Sequence, residues 1–204
     1  TACDALRAIR GRDLDATALL RACLDRIHAV EPRVQAWTVL APERALAQAQ
    51  DRDRALGART FLGPLHGLPV GIKDIFDTAD MPTENGTVLH AGRQPAEDAM
   101  AVTLLRAAGA VIVGKTVTTE LAVYSPGKTR NPHDPAHTPG GSSSGSAAAV
   151  AVSASGGLRC ALAAEAGKPD SCFGGVQIGT ITYSFRSMPG SAEEILKYVT
   201  TCGI

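Results

Sequence analysis

The sequence predicts an α/β fold, and three observations carry that expectation. Ala, Val, Leu and Ile supply most of a 45% hydrophobic content in which aromatics are only 4%, as expected for helices packed on a Val- and Ile-rich sheet. Apolar residues recur at helical spacing through much of the first 56 positions. A helix-like stretch at 98–108 then stops at Gly109 and runs into A-V-I-V at 110–113, a helix-to-strand unit of the parallel α/β type. A chain of 204 residues is ample for a buried core.

The elements follow in order. Leu6, Ile9, Leu14, Leu19, Leu20, Cys23, Leu24 and Ile27 mark two amphipathic helices over 4–30, broken by a turn around Gly11. Glu31-Pro32 closes the second, a short apolar stretch covers 34–40, and an Ala-, Gln- and Arg-rich helix follows at 42–56 with Pro42 in its first turn. V-G-I-K-D at 70–74 reads as a buried strand that carries a lysine among apolar neighbours. Thr119 to Tyr124 reads as the start of another helix. A long Pro- and Gly-rich loop at 125–146 leads into the helix A-A-A-V-A-V at 147–152. Loops that run into helix starts are where sites tend to lie.

Composition excludes several function classes. Lys plus Arg and Asp plus Glu are 20 each, so no net field attracts nucleic acid, an anionic membrane or an acidic substrate. No apolar run approaches the roughly 18 residues that span a bilayer. Cys3, Cys23, Cys160, Cys172 and Cys202 are odd in number and lack a C-x-x-C pair. They suggest neither a disulfide framework nor a zinc site, and a reduced, cytoplasmic setting is the expectation.

Two motif strings dissolve on inspection. Gly109 to Thr116 spells G-x-x-x-x-G-K-T, but a phosphate loop needs a turning, exposed backbone and A-V-I-V is a strand. His133 and His137 stand four apart like zinc ligands on a helix, yet Pro135 between them argues for a loop.

G-L-P-V-G-I-K-D at 67–74 and P-G-G-S-S-S-G-S-A-A-A-V-A at 139–151 are ambiguous when taken singly. A lysine near a strand is most often a snorkelling surface residue, and a Gly/Ser run is most often a linker. Together, with G-A-V-I-V-G-K-T and P-G-K-T-R-N-P-H between them, they resemble the leading blocks of the amidase signature family, over about residues 1–152. The resemblance implies an amidase-signature fold, a sheet covered by helices, here truncated before completion. It also implies hydrolysis of a carboxylic amide by a Ser-Ser-Lys triad with no metal or organic cofactor. By motif position Lys73 is the base, Ser142 is the relay serine preceded by a cis peptide bond, and Ser143 belongs to substrate binding. A lysine amine works as a base near neutrality only if burial lowers its pKa from about 10.4, and the apolar V-G-I before Lys73 supplies that burial. Asp74, adjacent on a strand, points away from Lys73 and reads as structural. The expected partner is a small amide substrate, and T-R-N-P-H also suits the amidotransferase subunit that acts on misacylated transfer RNA.

The resemblance stops after Val152. In the family a G-T-x-x-G-G-S segment follows, supplying the nucleophilic serine and the oxyanion-binding amides, and here its nucleophile position falls on Ala166. Ser153, Ser155 and Ser171 could replace it only by accident of geometry. The stretch 153–173 reads as an aberrant junction. Residues 174–204 form a strand, a Pro-Gly turn and a helix capped by Ser191, similar to the opening unit of xylose-isomerase-like sugar phosphate isomerase or epimerase barrels. Two readings of function stay open. One is an amidase by ancestry, inactive for want of its nucleophile. The other is a non-catalytic remnant or interaction module from a chimeric or frame-disrupted reading frame, expected to self-associate through an incomplete sheet.

Overall fold

A computed structural model describes residues 1–154, together with 172–173 and 176–177. Residues 2–153 form one compact unit. Its elements are helices α1 (Ala2–Gly11), α2 (Ala16–Val34) and α3 (Pro42–Gly57), strands β1 (Trp37–Leu40), β2 (Pro69–Lys73) and β3 (Val111–Thr116), and helices α4 (Met100–Ala107) and α5 (Ser144–Ala154). Strands β4 (Cys172–Phe173) and β5 (Val176–Gln177) pair antiparallel in a separate unit. Apart from Val176 and Gln177, the strand-turn-helix reading of 174–204 lies outside the described residues, as does the nucleophile position at Ala166.

The sheet runs β1-β3-β2, with β3 parallel to β2 and antiparallel to β1. The mixed helix-and-sheet architecture expected from the composition is therefore present. β3 is central and buried along its whole length, as its run of apolar residues requires. The G-x-x-x-x-G-K-T string is thus a strand, with its lysine inside the protein.

Two irregularities set the phase of the sheet. Between β2 and β3 the pairing steps from Val70↔Ile112 to Gly71↔Gly114, which leaves Val113 as an extra residue on β3. Between β1 and β3 it steps from Trp37↔Thr116 to Val39↔Lys115, which leaves Thr38 extra on β1. Each is a bulge, and a bulge re-aims every side chain beyond it. Ile112 can therefore join Ile72, Met81, Val102 and Ala110 in the core under α4, while Lys115 three positions later still faces the same side.

Helix α2 departs from expectation. It continues through Pro32 to Val34 instead of ending before it. Proline cannot donate to the carbonyl four residues back, so one helical bond is forgone, and the helix runs only two residues further. Glu31 then collects the chain beyond, its carboxylate accepting the Ala36 N–H at 3.0 Å and the Trp37 N–H at 2.9 Å. At its start, α2 is capped from a distance. The Asp53 carboxylate of α3 accepts the Ala16 and Thr17 amides at 2.8 and 3.0 Å.

The stretch at 119–124 is likewise not the start of a regular helix. It makes a single 3-10 turn, Glu120–Ala122, with Leu121 and Ala122 at φ of 49° and 60°. The Leu121 amide is drawn to the Asn85 carbonyl at 2.8 Å, and the Glu120 amide to the Ser125 carbonyl at 3.0 Å. Tertiary bonds here outweigh local helix preference. The helix expected at 98–108 is trimmed to Met100–Ala107, because the Asp98 carboxylate serves the Ala79 amide and Arg106 instead.

His66 ties three segments together and was not singled out by any sequence pattern. It is fully buried and stacks on Phe61 with ring centroids 4.9 Å apart. Its Nδ1 accepts the Leu62 N–H at 3.2 Å, and its Nε2 lies 3.0 Å from the Arg52 carbonyl. Gly109, at φ +89°, packs so closely that an added Cβ would lie 2.9 Å from the His66 Cα. The bonding pattern requires a neutral imidazole protonated on Nε2. Burial is the main cause that lowers its pKa from 6.5, with the Arg52 charge adding to it and the Arg52 backbone bond and Asp53 opposing. A lowered histidine pKa means that below about pH 6.5 the unfolded chain takes up a proton that the folded one refuses. Stability from this group is complete above that pH and is lost as pH falls toward the folded pKa. Urea midpoints at about pH 7.5 and 5.5 are expected to fall more in the wild type than in His66→Gln; equal falls would contradict the assignment.

Candidate active site

Strand β2 alternates its side chains between two faces. Ile72 and Asp74 point toward the α4 side with Lys115, and Lys73 points the other way with its pairing partner Thr116. On that second face lies the turn entering α5. The Lys73 Nζ donates to Ser142 Oγ at 2.7 Å across 69 residues of sequence. The two strings read as ambiguous in isolation thus meet at hydrogen-bond distance. Lys73 is half-buried, less enclosed than its apolar neighbours suggested, and among the described residues β2 pairs with β3 alone. Desolvation still lowers its pKa from the ordinary lysine value.

The turn that carries Ser142 is held from β3 and its extension. The peptide bond between Gly141 and Ser142 is cis. The Ser142 carbonyl accepts the Thr119 N–H at 3.0 Å and the Thr118 hydroxyl at 3.2 Å. The Thr116 and Ser146 hydroxyls lie 2.7 Å apart, and the Gly145 amide donates to the Val117 carbonyl at 2.9 Å. Gly145 is required sterically, since an added Cβ would lie 2.2 Å from the Ala36 carbonyl oxygen and 2.3 Å from the Val117 nitrogen. Sequence reading missed Thr118 and Thr119, which carry no signal beyond their place after an apolar strand. Ser143 is exposed at the start of the turn, its carbonyl accepting the Ala147 N–H at 3.0 Å. Ser153, one of the three stand-ins, donates instead to the Ala149 carbonyl on its own helix at 2.7 Å.

A second lysine lies on the opposite face. Lys115 is fully buried, and its Nζ donates to Asp74 Oδ1 at 2.8 Å, Thr83 Oγ1 at 2.6 Å and the Pro82 carbonyl at 3.0 Å. Asp74 Oδ2 accepts the Glu84 N–H at 3.2 Å, and the Asp74 amide donates to the Thr116 carbonyl at 2.9 Å. Burial pulls the Lys115 pKa down, against the hydrogen bond and charge of Asp74. All three ammonium hydrogens are engaged, so Lys115 is a structural cation. Lys73, by contrast, is half-buried and bonded to a hydroxyl. The sequence did contain a signal for Lys115, a lone charge inside the apolar run of β3.

His133 and His137 sit in the loop as expected, with His137 Nδ1 2.6 Å from Asp134. Among the described residues, no three His, Cys, Asp or Glu side chains gather in a way that would hold a metal, and no helix is long and apolar enough to cross a membrane.

Comparison with known proteins gives a consistent picture. The profile of the family described as Amidase matches residues 18–167. A subunit of the glutamyl-tRNA(Gln) amidotransferase of Chloroflexus aurantiacus is 44% identical over 151 residues, covering 71% of this chain and 31% of that protein. Its counterpart from Acidothermus cellulolyticus is 45% identical over 158 residues, covering 74% and 31%. The peptide amidase of Stenotrophomonas maltophilia superposes with a TM-score of 0.66 at 42% identity, covering 71% of this chain and 32% of that one. The chain thus spans about a third of the length of the curated relatives it matches.

Proposed function

Because the chain belongs to the amidase family, we propose that it carries the base and relay of an amide-hydrolysing Ser-Ser-Lys site and lacks the nucleophile. The observation that carries this reading is the 2.7 Å contact between Lys73 Nζ and Ser142 Oγ. At that distance a neutral amine accepts the Ser142 proton while the Ser142 oxygen takes one from an attacking hydroxyl, so a single relay shortens the path from base to nucleophile. Desolvation of Lys73 favours the neutral amine that this role needs. Bonds from Thr118 and Thr119 to the Ser142 carbonyl hold the relay in place, and exposed Ser143 is positioned to meet substrate. The substrate class is a carboxylic amide, in line with the amidase family and with a relative named as a peptide amidase.

In the family's register the nucleophile position is Ala166, which has no attacking atom. Covalent catalysis needs the attacking oxygen, its base and the oxyanion donors together. The 204-residue chain is therefore expected to hydrolyse aliphatic and aryl amides no faster than background and to take up no fluorophosphonate label. Label incorporation that disappears in Lys73→Ala would reveal a working serine and overturn this reading. The alternative, an interaction module, draws on Val88, Leu89 and Tyr124, exposed at 87, 81 and 75%. Their two segments are joined through the Thr87 hydroxyl donating to Glu120 at 2.9 Å.

A further inference from the structure

The Lys115–Asp74 pair lies on the far side of β2 from Ser142, yet it grips the residue next to the proposed base. We propose that this buried pair is a positioning clamp for Lys73, fixing the end of β2 so that the Lys73 amine stays within reach of Ser142. The inference rests on the base assignment made above and adds residues that never touch the reacting atoms.

Three observations support it. First, Lys73 is the last residue of β2, which among the described residues is paired on one side only, by β3, and the end of a strand so paired frays unless something beyond it is anchored. Second, Asp74 is that anchor. Its backbone amide is bonded to the Thr116 carbonyl, and its side chain is held by Lys115 and by the Glu84 amide. Third, the amine that holds Asp74 is itself over-determined. Thr83 accepts from Lys115, and its amide donates to the Arg93 carbonyl at 3.0 Å. Arg93 in turn grips the Asp77 carboxylate with two bonds of 2.6 and 2.8 Å. The loop after Lys73 is thereby closed on β3 through charged groups, with Asp74, Asp77 and Arg93 all acting on the Lys115 charge. A β-strand directs neighbouring residues to opposite faces, so holding Asp74 on one face commits Lys73 to the other.

The test reads the titration of Lys73 by NMR of the chain carrying carbon-13 at the lysine Cε. Five lysines are present, and the Lys73 signal is assigned by its loss in Lys73→Ala. In the wild type a midpoint below that of the exposed lysines supports the base assignment; an ordinary midpoint would remove it, whatever the clamp does. The clamp is tested separately with Asp74→Asn/Lys115→Met, which removes both charges and leaves the local net charge unchanged. The expected result is a folded protein in which the Lys73 midpoint rises by about one pH unit as the amine swings into water. A folded variant with an unchanged midpoint overturns the proposal. If the double variant does not fold, Asp74→Asn alone decides by sign. Loss of a nearby negative charge lowers the Lys73 midpoint, whereas release of the strand end raises it. A fall, or no change, overturns the clamp.

Discussion

Replacing Lys115 by alanine is expected to destabilise the protein by about 3–5 kcal/mol, the range for breaking a buried ion pair from one side. The pair is almost fully shielded, with side-chain exposures of 0% for Lys115 and 2% for Asp74. Alanine leaves the Asp74 carboxylate with only the Glu84 amide, and it strips a donor from Thr83 and from the Pro82 carbonyl. An unpaired buried charge costs far more than the pair contributed, so Asp74→Asn added to Lys115→Met is expected to recover much of the loss. Urea unfolding of the single and double variants is the measurement. A single variant within about 1 kcal/mol of the wild type would mean that the carboxylate finds water in the folded state.

Gly145→Ala is the second large effect. The added methyl would point into two backbone groups, the Ala36 carbonyl oxygen and the Val117 nitrogen, each within 2.3 Å of where it would sit. Neither is the end of a flexible side chain. The first turn of α5 must therefore lift away from the end of β3, breaking the bond from the Gly145 amide to Val117. Overpacking usually costs about 1–3 kcal/mol, and a clash with backbone on two sides belongs at or above the top of that range. Because Ser142 stands three residues upstream, the same variant should also separate it from Lys73. Loss of stability with an unmoved Lys73 titration would show that the turn and the helix are mechanically independent.

Much of this was legible in the sequence. The order of helices and strands follows from apolar spacing, and glycine at 109 marks the end of α4 as expected. Lys73 and Ser142 could be paired only through family resemblance, because no local rule connects residues 69 positions apart. The misses have a common cause. Pro32 inside α2, the single turn at Glu120–Ala122 and the burial of His66 are all set by partners distant in sequence. Glu31 catching the chain after the helix, Asn85 bonding Leu121 and Arg52 meeting His66 are tertiary events that propensity does not register. Lys115 was visible as a charge in an apolar strand, but its ligands come from the loop at 74–83, whose path has no signature.

The extra residue at Val113 has a bearing on how this segment can change over evolutionary time. With it, Ile112 and Lys115 face the same side of the sheet even though they are an odd number of positions apart. Deleting one residue between them would turn Lys115 toward α5 and send Thr116 into the hydrophobic layer under α4, while every residue identity stayed the same. Inserting one would do likewise. Substitutions along β3 are absorbed one side chain at a time, whereas a single-codon gain or loss exchanges its two faces at once. The spacing of this strand is therefore expected to be more strictly preserved among descendants than its composition.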